Sequence, residues 1–195
     1  MKIVLASRNA EKLKEMRRIV DGKSVEFVAL PKNAPEAAEN EKTFEGNALK
    51  KAKSACKFTK LPALADDSGI CVDFLRGAPG VKSARFAPSD KARNAKLLHL
   101  LREAPKNNRG AEFVCVAALV FPDGREFVVR GEARGKIAEE ERGRGGFGYD
   151  PIFIPAGFRR TYAELGRKIK NRISHRARAF LKMRGILKGL VKRGV

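Results

Sequence analysis

Asp66 and Asp67 stand side by side in Ala63-Leu-Ala-Asp-Asp-Ser-Gly-Ile70, flanked by apolar residues. Adjacent carboxylates repel one another and resist leaving water unless a cation sits with them. Magnesium answers that need, because it takes carboxylate and phosphate oxygens and keeps several waters. It would bridge a polyphosphate and help to orient an attacking water. Asp, Ser and Gly are also the residues of an Asx turn, so the segment alone leaves two readings, a metal site or a turn.

Four further segments carry groups suited to a phosphorylated ligand. Ser7-Arg-Asn-Ala-Glu-Lys12 lies between an apolar run and a helical pattern. Free backbone N–H groups and the positive helix end would meet a phosphate there, with Ser7, Asn9 and Lys12 adding polar contacts. Taken alone, the segment reads better as an ordinary helix start with a solvated lysine. Thr43-Phe-Glu-Gly-Asn47 offers Glu45 as a further acidic ligand, or as an acid that a first helical turn favours anyway, with Thr43 as the N-cap. In Gly145-Gly-Phe-Gly-Tyr-Asp-Pro151, Phe147 would be exposed for stacking on a base and Asp150 would accept from base or ribose. The alternative is a turn whose aromatics pack inward. Lys170 would neutralise phosphate while His175 and Arg176 address a purine carbonyl, or else Ser174 simply caps a helix bearing surface charge. The Walker pattern G-x-x-x-x-G-K-[ST] is absent, which excludes that class of NTPase.

The elements that must position these groups follow from the hydrophobic pattern. Lys2 to Ala6 predicts a central strand, and Leu13, Met16, Ile19 and Val20 a helix that Asp21-Gly22 ends. Val25 to Leu30 predicts a second strand. Thr43 to Phe58 predicts a helix with Phe44, Ala48, Ala52 and Ala55 on one face. A brief strand ends at Leu64-Ala65 and extended structure resumes over Ile70 to Phe74. Gly77-Ala-Pro-Gly80 is a turn. Ser89 to Leu101 is helical with Ala95, Leu98 and Leu101 inward. Ala111 to Phe121 and Glu126 to Ile137 form a hairpin around Pro122-Asp-Gly124. Gly143 to Gly148 is a loop, Pro151 to Ile154 a short strand, and an amphipathic helix from about Ser174 turns Phe180, Met183, Leu187 and Leu190 inward. The class is α/β with parallel and antiparallel elements, and such folds place their chemistry in loops at strand ends.

The bulk numbers agree with one domain, 1–195, of two lobes at most: 195 residues, 43% hydrophobic and 33% charged, read as globular. No apolar run approaches the ~20 residues that span a bilayer, and the N-terminal run is too short for a signal peptide, so a soluble, cytoplasmic protein is expected. Cys56, Cys71 and Cys115 are widely spaced, apolar in context and joined by only two histidines, which argues for core thiols and against zinc. Residues 159–195 hold 13 of the Lys and Arg against one acid, Glu164, within a net charge of +20. That favours anionic partners: a nucleic acid, a polyanionic small molecule, or water alone.

Taken together, the segments SRNAEK (7–12), TFEGNA (43–48), ALADDSGICVDFLRGAPGVKSARFA (63–87), GGFGYDPIF (145–153) and SHR (174–176) resemble the inosine triphosphate pyrophosphatase family over nearly the whole chain. The resemblance implies an elongated, two-lobed α/β fold, a central mixed β-sheet flanked by helices with the active cleft between lobes. It implies a homodimer that uses Mg2+ to convert the deaminated purine nucleotides ITP, dITP and XTP to monophosphate and pyrophosphate, cleansing the nucleotide pool. Nucleic acid is not an expected partner of that family, and no membrane is implied. By the same resemblance Asp67 is the catalytic acid at metal and water, with Glu45 as a second metal ligand. Ser7, Arg8, Asn9 and Lys12 hold phosphates, and Ser68 contacts substrate. Phe147, Gly148, Tyr149, Asp150, His175 and Arg176 hold the base, and Lys170 reaches the nucleotide. Ser7 replaces the more usual Thr, Phe86 stands where Tyr is typical, and Gly46 occupies the place where many members carry Glu.

Overall fold

The structure, a computed structural model, describes residues 1–20 and 25–193; the helix-ending signal at Asp21-Gly22 lies outside them. Strand β1 (Lys2–Leu5) buries Ile3, Val4 and Leu5, the pattern of a strand covered on both faces. Helix α1 (Ala10–Val20) follows, and Asn9 starts it by accepting at Oδ1 from the backbone N–H groups of Glu11 and Lys12, both at 3.0 Å. Strand β2 (Glu26–Ala29) pairs parallel with β1. Helix α2 (Phe44–Thr59) is capped by Thr43 and buries Phe44, Ala48, Ala52 and Ala55, as its spacing requires.

Strand β3 (Ala63–Val72), parallel to β1, departs from expectation. It runs without a break through Asp66-Asp67-Ser68-Gly69, which removes the Asx-turn reading. Successive strand side chains point to opposite faces. The two carboxylates therefore do not share one pocket, and each can gather its own cations while buried. Asp73 and Phe74, expected to be extended, instead form a 3-10 turn (Asp73–Leu75).

The Gly77–Gly80 turn contains a cis Ala78–Pro79 bond and leads to a second 3-10 segment (Gly80–Arg85). Helix α3 (Asp90–Leu100), capped by Ser89, buries Asn94 and Leu97, with Leu101 buried beyond its end. Ala95 is exposed and Leu98 half-buried. Leu101 is thus inward as expected and Leu98 packs at the edge of the core, while Asn94 and Leu97 take the place expected of Ala95. Strands β4 (Gly110–Val120) and β5 (Glu126–Ile137) are joined by a tight turn at Phe121–Arg125. Strand β6 (Phe153–Pro155) pairs antiparallel with β5. Helix α4 (Tyr162–Ile173) has no counterpart in the sequence reading, although Thr161 and Glu164 cap its start reciprocally. Helix α5 (His175–Lys192) buries Phe180, Met183, Leu187 and Leu190 as expected.

The six strands form one mixed sheet in the order β2-β1-β3-β4-β5-β6, flanked by helices. The chain divides into two compact units. The first holds Met1–Asp67, Cys115–Gly131 and Arg176–Val195; the second holds Ser68–Val114 and Glu132–His175. The core of the first unit gathers Ile3, Leu5, Met16, Leu64, Leu119 and Phe180. That of the second gathers Ile70, Leu97, Ile137, Phe153 and Tyr162. Cys56 and Cys115 are buried, while Cys71 is only half-buried, and none of the three forms a disulfide. No helix among the described residues is long and apolar enough to cross a membrane.

Candidate active site

In the first unit, Asp67 and Asp66 are both almost fully buried, and the charges around them differ. Asp67 faces α2. Lys51 Nζ donates to Asp67 Oδ1 at 2.9 Å and to Glu39 Oε1 at 2.8 Å, and Asn47 Nδ2 donates to Asp67 Oδ2 at 3.2 Å. Lys51 follows Asn47 by four residues, one helical turn, so both reach the same carboxylate. Asn47 Oδ1 also accepts from the backbone N–H of Glu41 at 3.1 Å, which ties the preceding loop to the helix.

Burial pushes the Asp67 carboxyl above its ordinary range, with the charge of Glu39 adding to it, while Lys51 and Lys12 pull the other way. Burial works against the charge of Lys51, but Asp66, Asp67 and Glu39 outweigh it and hold its pKa above the usual lysine value. A carboxylate with raised proton affinity is a better proton acceptor than a solvated one.

Asp66 faces α1 and α5. Arg176 donates to Asp66 Oδ2 at 3.3 Å and to Glu15 Oε2 at 2.5 Å, and Lys12 Nζ lies 3.4 Å from the same Asp66 oxygen. The Arg176 guanidinium is buried, and its two acids hold it charged against the cost of burial. Arg176, expected at the base, is therefore placed between two acids of its own unit.

Of the expected phosphate group, Ser7 is half-buried and accepts from the backbone N–H of Asn9 at 3.3 Å. Arg8 turns to the following loop and donates to the Ala34 carbonyl at 2.6 Å. Ser68, the next residue of β3, is half-buried. Glu45 is turned to Arg130, 2.9 Å away, with its side chain 39% exposed. The acid brought onto Lys51 with Asp67 is Glu39, which the sequence reading did not single out.

In the second unit the glycine-rich loop is pinned from three sides. Asp150, 1% exposed, accepts at Oδ2 from the backbone N–H of Phe147 at 2.9 Å and from Lys170 Nζ at 2.6 Å. The Lys170 ammonium also lies 4.4 Å from the centre of the half-buried Phe147 ring. A Cβ at Gly146 would collide with the Asp150 carboxylate, and φ there is +77°, so only glycine fits.

Asp90, at the start of α3, accepts from the backbone N–H of Gly148 at 2.7 Å and pairs with Arg93. Burial works against its charge, but these two donors outweigh it and hold its carboxyl below the usual range. The Tyr149 hydroxyl donates to the Ser83 carbonyl at 2.9 Å, and burial pushes its pKa up. His175 is buried and stacks on Phe113, ring centres 4.5 Å apart and nearly parallel. Tyr149 thus packs inward, and Lys170 supports the loop through Asp150.

The signals for Lys51, Asn47, Asp90 and Thr161–Glu164 were present in the sequence. Asn47 and Lys51 sit one turn apart, and Thr-x-x-Glu is a helix-start pattern.

Fold and site together define an α/β protein with a buried acid–lysine centre in one unit and an anchored glycine–aromatic loop in the other. A model of the Ham1 family matches residues 3–186, and the chain belongs to that family. It is 51% identical to a dITP/XTP pyrophosphatase of Frankia alni over 96% of this chain and 98% of that protein. It is 49% identical to a dITP/XTP pyrophosphatase of Symbiobacterium thermophilum over 99% and 98%. Among solved structures, a HAM1 protein from Coxiella burnetii superposes with a TM-score of 0.90 at 41% identity, covering 97% of this chain and 99% of that one.

Proposed function

We propose that this chain hydrolyses the deaminated purine nucleoside triphosphates dITP, ITP and XTP to the monophosphate and pyrophosphate. The observation that carries this reading is the Asp67–Lys51–Glu39 cluster, in a chain about half identical to proteins named dITP/XTP pyrophosphatases. Asp67 takes the proton from the water that attacks the α-phosphorus, a role its raised pKa supports. Lys51 holds that carboxylate in place and sets positive charge where negative charge develops.

Asp67 and Glu39 are the acids that would hold magnesium. Both already converge on one cation, and Mg2+ is bound through one or two carboxylates plus substrate phosphates. Among the described residues no three acidic, histidine or cysteine side chains form a metal cage, which suits an ion completed by substrate and water. When bound, it would neutralise the leaving pyrophosphate.

The N–H groups that open α1, with Ser7 and Lys12, take phosphate oxygens. Phe147 stacks on the base, and donors matched to a 6-carbonyl turn away adenine, whose amino group leaves them unpaired. We place the enzyme in the cytoplasm as a homodimer, which light scattering on the purified protein would test.

The deciding assay is pyrophosphate release from dITP, ITP, XTP, GTP and ATP, with Mg2+ and with chelator. Preference for the first three and silence under chelation support the reading. Equal turnover of ATP, or full activity in chelator, refutes it.

A further inference from the structure

The nucleotide site does not use the outer face of α5. This helix has 18 residues, six of them Lys or Arg, and no acid. At about 100° per residue, Arg178, Lys182, Lys188 and Lys192 fall in one arc of about 120°, together with Leu181, Gly185 and Gly189. All four basic side chains are exposed, whereas Phe180, Met183, Leu187 and Leu190 on the opposite face are buried.

The neighbouring helix extends this surface. Arg184 donates to the Ile19 carbonyl at 3.2 Å and Arg176 to Glu15 at 2.5 Å, so α1 lies against α5 within the first unit. Helix α1 adds exposed Arg17 and Arg18. Its two acids do not offset them, since Glu15 is bound to Arg176 and Glu11 to Lys14 at 2.7 Å. The chain as a whole carries +20. A surface with this charge and little else meets a dense row of negative charges.

We propose that the α5–α1 face docks on the phosphate backbone of duplex DNA, without reading sequence. A duplex offers a negative charge about every 1.7 Å along its axis, and from Arg178 to Lys192 α5 lays its exposed cations along about 21 Å. Single-stranded nucleic acid is held by exposed aromatic platforms. The exposed aromatics are Phe58, Phe74 and Phe158, none of them on α5 or α1. A bilayer surface requires an apolar face to insert. That face of α5 is spent in the core, leaving Leu181, 42% exposed, as the only large apolar side chain on the arc. Docking would hold the enzyme near DNA while its nucleotide site works independently.

The test is fluorescence anisotropy of a labelled duplex titrated with the full chain across a salt series, beside pyrophosphate release from dITP. The wild type should bind with log affinity falling linearly in log salt. Replacing Lys182, Lys188 and Lys192 together by Gln should weaken binding at least about 10-fold near 0.1 M salt and reduce the slope by about 2–3, while dITP turnover stays within about 2-fold. The corresponding triple Arg variant should retain binding, which separates charge from folding. The proposal is overturned if the wild type does not bind, if the Gln variant binds as tightly, or if single-stranded RNA or phosphatidylserine vesicles are preferred over the duplex.

Discussion

Each unit holds a buried lysine–carboxylate pair, and the two differ in what surrounds them. In the second unit Lys170 and Asp150 meet at 2.6 Å with side chains 4% and 2% exposed. Asp150 also accepts from a loop N–H, and the Lys170 ammonium lies over the Phe147 and Tyr162 rings. In the first unit Lys51 and Asp67 meet at 2.9 Å, and Lys51 also carries Glu39, whose side chain is 27% exposed. A sealed pair with one acid per cation is neutral and has its hydrogen bonds used internally, so it fixes architecture. A pair with a surplus acid at the solvent edge has oxygens to give a metal and a carboxyl whose proton affinity is raised, so it is equipped for chemistry. Kindred residues thus serve position in one unit and reaction in the other.

The largest effects should separate these roles. Lys51→Met should lower kcat by about 10³-fold, roughly 4 kcal/mol of barrier, at a smaller cost in stability than the loss of Lys170, because Asn47 still donates to Asp67. It should also move the acid limb of the pH–rate profile upward. Asp67 works deprotonated, so activity rises with pH through its pKa, which burial lifts above the ordinary aspartate range, and removing Lys51 takes away a charge that lowers it. Lys170→Met should do the reverse. It strands a buried carboxylate and costs about 3–5 kcal/mol of stability, read by thermal or urea unfolding. A Lys170 variant that melts normally would break the comparison.

Asp90→Asn comes next. It weakens the hold on Gly148 and should raise KM for dITP about 10-fold while changing kcat less, a split that steady-state kinetics reads. Smallest should be Glu45→Gln, within about 2-fold in activity and Mg2+ requirement, because its carboxylate is an exposed partner of Arg130. Glu39→Gln should raise the Mg2+ requirement by about 10-fold.

Local pattern made much of this fold legible. The small-residue face of α2 and the apolar stripe of α5 lie where 3.6-residue spacing puts them. What failed were places where distant partners decide. Asp66-Asp67-Ser68-Gly69 looks like a break because two acids seem unable to sit in a buried strand. Lys12, Lys51 and Arg176, far off in sequence, make it possible. The burial of Lys170 and the placing of Glu39, rather than Glu45, beside Asp67 on Lys51 are also long-range outcomes that no local window contains. The site was legible as a set of segments, and its wiring was not. Helix α4 differs, since its Thr161–Glu164 start was local and readable.

The claim that Asp67 is the reacting carboxylate is tested most directly by Asp67→Asn. Asparagine keeps the shape and can still meet Lys51 through its carbonyl, but it cannot take a proton. Pyrophosphate release from dITP at saturating Mg2+ should fall by about 10³-fold or more, with the unfolding midpoint held or raised, since a buried charge is removed. If Asp67→Asn turns over dITP within about 2-fold of the wild type, the assignment of Asp67 as the base is contradicted.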